Sequence, residues 1–341
     1  ARRLRELAKT QVMLVVMSLV VTVPTYLLMG VGGIIPVITL TALAALGVTA
    51  RFSLRLYPLS LRGARRTLGE GTDMVRLGLA FIMSGVFGSG AEMIVRSFLN
   101  TAGGLDTVGL YNAGYILTVT YAGMVFTAME TDYFPRLSAV NHDTEAVNTA
   151  ANRQIEVTLL IIAPMLTFML AALPWLIPLL YSGKFTPVTG MAQAAVLGMY
   201  ARALLLPITY ITLAKSHSTA FLVTEGLSAA ALIVFTFCCF DRWGLTGAGV
   251  ALMLANVFDM LVIYLYAHIR YRYRLSRQAV IYSILHFSIG TAAYMATFAA
   301  TTALRITLGL ATFLASMAVS LYAIQKNTSL LERIKQKLHK K

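Results

Sequence analysis

Glu92 and Arg96 stand four residues apart inside an apolar run. A helix there sets a carboxylate and a guanidinium on one face, with the acid on the N-terminal side. Arg202 sits near the middle of another apolar run, and Glu225 and Asp259 lie inside two more. A charge at the centre of a bilayer costs about 2.5–3.5 kcal/mol, so such a group faces a partner or a wet cavity. Arg96 and Arg202 are planar donor forks suited to phosphate oxygens. Glu92, Glu225 and Asp259 suit a coupling cation or proton, or balance the arginines when no anion is present. The competing reading is internal ion pairing that only locks helices together, and it applies most directly to Glu92–Arg96. Tyr111, Asn112 and Tyr115 open the next apolar run, and Tyr200 neighbours Arg202. Tyrosine stacks on a sugar ring and bonds its hydroxyls, although it also fills the interfacial belt of membrane proteins.

These residues need elements that cross a membrane. A hydrocarbon core about 30 Å thick takes roughly 20 residues of helix. Ten runs qualify, at 11–29, 33–50, 77–99, 108–130, 155–181, 191–214, 218–240, 245–268, 279–301 and 304–324. The class is therefore an all-α integral membrane protein of about ten spans. With ten spans both ends lie on one side. That side collects 23 of the 28 Lys and Arg, against only Lys184, Arg242 and Arg305 opposite. The positive-inside rule makes the basic side cytoplasmic.

Hydrophobic residues make up 58% of the chain and charged ones 12%, far from the roughly 25% charge of a soluble domain. The net charge of +14 is thus no nucleic-acid footprint. It gathers beside span ends, where it meets anionic membrane lipids. The five histidines show no ligand spacing, so no metal site is expected, and Cys238 and Cys239 are adjacent with no third cysteine to bridge. No G-x-x-x-x-G-K-[ST] occurs, no cofactor is implied, and no link is large enough for a soluble catalytic domain.

The link 51–76 alternates apolar and basic residues and reads as an amphipathic surface segment interrupted by Pro58, Gly63, Gly69 and Gly71. The link 131–154 is polar and helical in pattern. Pro164, Pro174 and Pro178 interrupt the fifth span, and the sixth carries Pro207. Gly85 with Ser89, and GLTGAG at 244–249, supply small residues for close helix packing.

Two segments, VGLYNAGYILTVTYAGMVFTAMETDYFPRLSAV at 108–140 and LPWLIPLLYSGKFTP at 173–187, resemble the Wzx-like polysaccharide and lipid-linked oligosaccharide flippases. These form a branch of the multidrug/oligosaccharidyl-lipid/polysaccharide exporter superfamily. GLTGAGVALMLAN at 244–256 is similar to the last helix of that family's second lobe, and the likeness runs over 25–256. The resemblance implies two six-helix lobes facing a cavity. It makes 1–50 the last two helices of the N-terminal lobe, 51–76 a cytoplasmic linker and 77–268 the complete C-terminal lobe. It makes 279–324 two additional helices and 325–341 a basic cytoplasmic tail. Four leading helices of the family pattern have no counterpart, and the first residue is Ala1, so the expectation is an N-terminally truncated chain.

The implied function is transport without catalysis. An undecaprenyl-pyrophosphate-linked oligosaccharide would cross the bacterial inner membrane by alternating access, for surface polysaccharide biosynthesis. Antiport coupling to protons or sodium belongs to that expectation. The nearest rival is a cation-coupled drug or metabolite exporter of the same superfamily. A membrane-embedded glycan polymerase or acyltransferase would need a sizeable external loop or a clustered His/Asp/Glu constellation, and the sequence displays neither.

Overall fold

A computed structural model describes residues 2–56 and 64–326. The described residues contain helices and turns and no strand. The chain divides into two compact units, Ala1–Thr72 and Asp73–Lys341. In the first, α1 (Arg2–Met29) and α2 (Ile34–Leu56) pack on each other across the short 3₁₀ turn Gly30–Gly33.

The second unit starts within α3 (Ala64–Tyr115). A π-helical turn at Ile116–Thr120 joins α3 to α4 (Tyr121–Ala139). Next come α5 (Thr144–Leu180), α6 (Val188–Ala214), α7 (Ser218–Tyr271), α8 (Arg277–Ala296) and α9 (Thr302–Lys326). Eight helices among the described residues are long and apolar enough to cross a membrane. Two are too long for one crossing: Gly78–Ala139 has 62 residues and Ser218–Tyr271 has 54. At about 1.5 Å per residue, 54 residues reach ~80 Å. Each breaks at one glycine, Gly104 (φ +78) and Gly244 (φ +54). Those left-handed backbones are accessible to a residue without Cβ. The two kinks divide the eight helices into ten segments, the number that the hydropathy pattern predicts.

The links differ from the sequence reading. The external connections expected after the third and seventh spans shrink to kinks at Gly104 and Gly244. The 131–154 link is the end of α4, a turn at 140–143 and the start of α5. Asp143 caps α5, its Oδ1 accepting from the amides of Glu145 (2.8 Å) and Ala146 (3.2 Å). The fifth span continues as one helix through Pro164, Pro174 and Pro178. Gly69 and Gly71 lie inside α3, whereas Pro58, Gly63 and the tail from 327 lie outside the described residues.

The core sits where α6 packs on α5 and α7, with Leu166, Leu170 and Ile177 of α5 and Met191, Ala195 and Met199 of α6 fully buried. GLTGAG behaves as a packing device: a Cβ on Gly249 would overlap the Met191 backbone, and one on Gly247 the Cys239 backbone. Gly85 and Ser89 instead lie exposed, with open space around Gly85 among the described residues.

Two polar clusters tie the ends of these helices. Asn152 of α5 donates to the carbonyls of Asn148 and Arg274 (both 2.9 Å) and accepts from the Ser276 amide (2.7 Å) and the Tyr273 hydroxyl (3.2 Å). One turn on, Glu156 accepts from the Ser276 hydroxyl at 3.0 Å. At the α6–α7 turn, His217 Nδ1 meets the Tyr271 hydroxyl at 2.7 Å, and Lys215 donates to the Asn141 carbonyl at 2.6 Å. Burial, then the charges of Arg270 and Lys215, hold the His217 imidazole below its usual pKa. Between α8 and α9, the buried His286 faces Ser316 (3.2 Å) and Ser320 (3.5 Å), a helix clamp.

Candidate functional site: a charged cavity wall

The kink at Gly104 folds the chain back so that residues on the two sides of α3 face each other. Arg96 reaches both ways. Its Nη2 pairs with Glu92 Oε2 at 2.8 Å, one turn back. Its Nε donates to Asn112 Oδ1 at 2.8 Å across the kink. Its guanidinium lies 5.8 Å from the centroid of the Tyr115 ring, within cation–π range. Tyr111 and Tyr115 sit ring to ring at 5.8 Å, and the Tyr111 hydroxyl is buried without a hydrogen-bond partner among the described residues. The structure therefore brings Glu92, Arg96, Tyr111, Asn112 and Tyr115 into one group. The Glu92–Arg96 pair expected from spacing is formed, and Arg96 is largely satisfied by its own neighbours.

Arg202 is placed differently. It lines a cavity of about 690 Å³ whose wall also holds Tyr115, Thr127, Glu130, Thr131 and Leu206. It is half-buried and makes no ion pair among the described residues. Its charge nevertheless acts on Tyr115, Tyr210, Glu225 and Asp259. The two acids are held by hydroxyls. Ser84 donates to Glu225 at 3.1 Å, and Ser228 donates to Asp259. Tyr210 donates to Glu130 at 2.8 Å. Arg202 is thus a guanidinium on the cavity wall with Glu130, whose carboxylate has another donor in Tyr210. Tyr115 touches both groups, with Arg96 on one side and the Arg202 cavity on the other.

Tyr200 does not join this wall. It is fully buried, its hydroxyl bonded to Thr167 Oγ1 (2.8 Å) and to the Ala163 carbonyl (3.2 Å) of α5. Its ring fills the space where a Cβ on Gly290 of α8 would stand, 2.7 Å from the ring carbon Cζ. Consecutive helix residues are about 100° apart, so Tyr200 points nearly opposite to Arg202. Tyr200 is a packing residue between α5, α6 and α8.

The described part of the second unit thus combines eight of the ten expected spans with a charged hollow. The model of the polysaccharide biosynthesis protein family matches residues 2–189. The chain belongs to that family. The match includes the 108–140 and 173–187 segments and carries Glu92, Arg96 and the tyrosine pair. No curated protein matches the sequence. Among solved structures, one similar chain is the lipid II flippase MurJ in an inward closed conformation, with TM-score 0.53 and 14% identity, covering 90% of this chain. A second is a MATE protein in complex with MaL6, with TM-score 0.62 and 18% identity, covering 77% of this chain. The chain spans 66% and 62% of those two proteins' lengths. At such identities the likeness is one of fold. It places this family member among multi-pass helical membrane proteins.

The sequence reading missed four residues of this region, Glu130 on the cavity wall and three hydroxyls that donate to its acids. Tyr210 stands eight residues after Arg202, two turns along the same face of α6, a signal that spacing carries. Glu130 is the last residue of the predicted fourth span, yet α4 continues to Ala139 and sets it well inside the helix. Ser84 and Ser228 carry no charge to draw attention; only their acidic partners do.

Proposed function

We propose that the chain is the membrane part of a transporter that carries a lipid-linked oligosaccharide, with an undecaprenyl-pyrophosphate head, across the bacterial inner membrane. The supporting observation is Arg202: a half-buried guanidinium on the wall of a 690 Å³ hollow, with no ion pair among the described residues. Such a group is costly unless an anion visits it. A pyrophosphate oxygen pair accepts its two parallel N–H donors. Tyr115 beside it offers a ring face and a hydroxyl for the first sugar. Glu130, Glu225 and Asp259 offset the guanidinium charge between turnovers and offer places for a coupling proton or sodium ion. The cargo's lipid tail stays in the bilayer while helix bundles rock around the head group. The family's description, polysaccharide biosynthesis, agrees with this cargo. The basic side of the molecule, with both chain ends, faces the cytoplasm in this reading.

The acids around Arg202 favour one alternative, a cation-coupled exporter of organic cations. The two readings separate on Arg202→Glu, tested in the complete gene product expressed in a flippase-null cell with a compatible glycan. Anionic cargo predicts loss of surface polysaccharide while the protein remains in the membrane. Retained polysaccharide together with stronger export of cationic dyes overturns the flippase assignment.

A further inference from the structure

The link between α7 and α8 has an alternating plan that the transport reading does not use. Its residues run Arg270, Tyr271, Arg272, Tyr273, Arg274, Leu275, Ser276, Arg277. Tyr271 and Tyr273 are buried, while Arg270, Arg272, Arg274 and Arg277 are all exposed. The backbone beneath them is pinned almost residue by residue. Arg272, left-handed at φ +54, donates its amide to the Ala267 carbonyl, and Tyr273 does the same at 3.2 Å. His268 Nδ1 contacts the Tyr273 carbonyl at 2.9 Å. The Arg274 amide donates to Asn148 Oδ1 at 3.0 Å, and its carbonyl accepts from Asn152. Ser276 is bound through its amide to Asn152 and through its hydroxyl to Glu156. Arg153, next to Asn152 on α5, adds a fifth exposed guanidinium.

Five arginines therefore project from one end of the second unit, four of them on a fixed backbone. None of the five makes an ion pair among the described residues. The carboxylate of Glu156, which holds Ser276 of this link, is buried. Holding the main chain rigid removes part of the ordering cost that a flexible basic loop pays on binding. The link lies between one membrane-length helix and the next, at headgroup level. Each Lys or Arg there contributes about 1 kcal/mol toward an anionic leaflet. A set of topology-determining charges needs number only; it does not need tyrosines turned in, arginines turned out and the backbone between them fastened at 272, 273, 274 and 276.

We propose that this arginine comb is a binding site for the phosphate headgroup of an anionic phospholipid of the surrounding leaflet. The lipid's phosphate bridges neighbouring guanidiniums, and its acyl chains lie along the exposed flanks of α7 and α8.

The test uses the full chain in nanodiscs containing phosphatidylcholine and phosphatidylglycerol, with retained lipid counted by native mass spectrometry. The unmodified protein retains phosphatidylglycerol over phosphatidylcholine. The combination Arg270→Gln, Arg272→Asn, Arg274→Gln and Arg277→Gln lowers retained phosphatidylglycerol at least about tenfold and leaves phosphatidylcholine unchanged. Arg242→Gln with Arg305→Gln, at the opposite helix ends, has no effect. Equal retention by the four-fold variant, or an equal loss in the opposite-end control, overturns the proposal. Should the four-fold variant not fold, a photoreactive phosphatidylglycerol on the unmodified protein decides. Labelling of the 270–277 peptide supports the comb, and labelling only elsewhere overturns it. Displacement of the lipid by millimolar inorganic phosphate assigns the comb to a soluble anion and likewise overturns the lipid assignment.

Discussion

Asn152 and Arg202 are both polar groups set in an apolar protein, and their surroundings are opposites. Asn152 has two donors and two acceptors engaged, by Asn148, Arg274, Ser276 and Tyr273. Arg202 looks into a hollow and makes no ion pair among the described residues. A buried polar group that is fully satisfied holds helices in register. One left short of partners in a wet cavity is free to meet something that arrives. Arg96 falls between the two. It is tied to Glu92 and Asn112, yet stacked on the same Tyr115 that borders the hollow.

The sharpest way to break this contrast is Arg202→Gln. Losing two charge-assisted hydrogen bonds, worth about 1.5 kcal/mol each, slows cargo movement by roughly a hundredfold. Surface-polysaccharide rescue by the complete gene product falls accordingly, while thermal unfolding in nanodiscs is unchanged. Asn152→Leu gives the mirror result. Unfolding shifts by about 2–3 kcal/mol because the Arg274 carbonyl and Ser276 amide lose their partner, and transport per folded molecule is kept. Arg96→Gln costs about tenfold in transport through Tyr115 and the altered Glu92. Adding Glu92→Gln restores stability and leaves the transport defect. Tyr200→Phe removes one hydroxyl from a packed site, lowers stability by about 1 kcal/mol and leaves cargo preference alone.

The smallest effect is on pH. His217 is held below its ordinary value of 6.5, first by burial and then by Arg270 and Lys215. The unfolded chain therefore takes up a proton that the folded chain refuses. Stability is complete above about pH 6.5 and declines as pH falls from there toward the folded-state value. His217→Gln flattens that slope in a melting series, and an unchanged slope refutes the assignment.

Span positions were legible because a bilayer demands a fixed apolar length, and that demand is written residue by residue. The two breaks were less legible: an eight-residue polar interval reads as a loop, yet one glycine at 104 suffices to turn the chain. Among the candidate site residues, lone charges in apolar runs were readable because each needs a reason to be there. Tyr200 was grouped with Arg202 by sequence adjacency, and helix geometry separates them by about 200°. Asn152 was hidden in a segment that read as a polar link; its worth lies in partners more than 120 residues away, which no local pattern displays.

Tyr200 has one more effect. Its ring occupies the volume that a side chain at position 290 would take, and its hydroxyl is anchored on α5. A peg of this kind leaves no slack between α5, α6 and α8. In the proposed transport cycle, these three helices would move as one body.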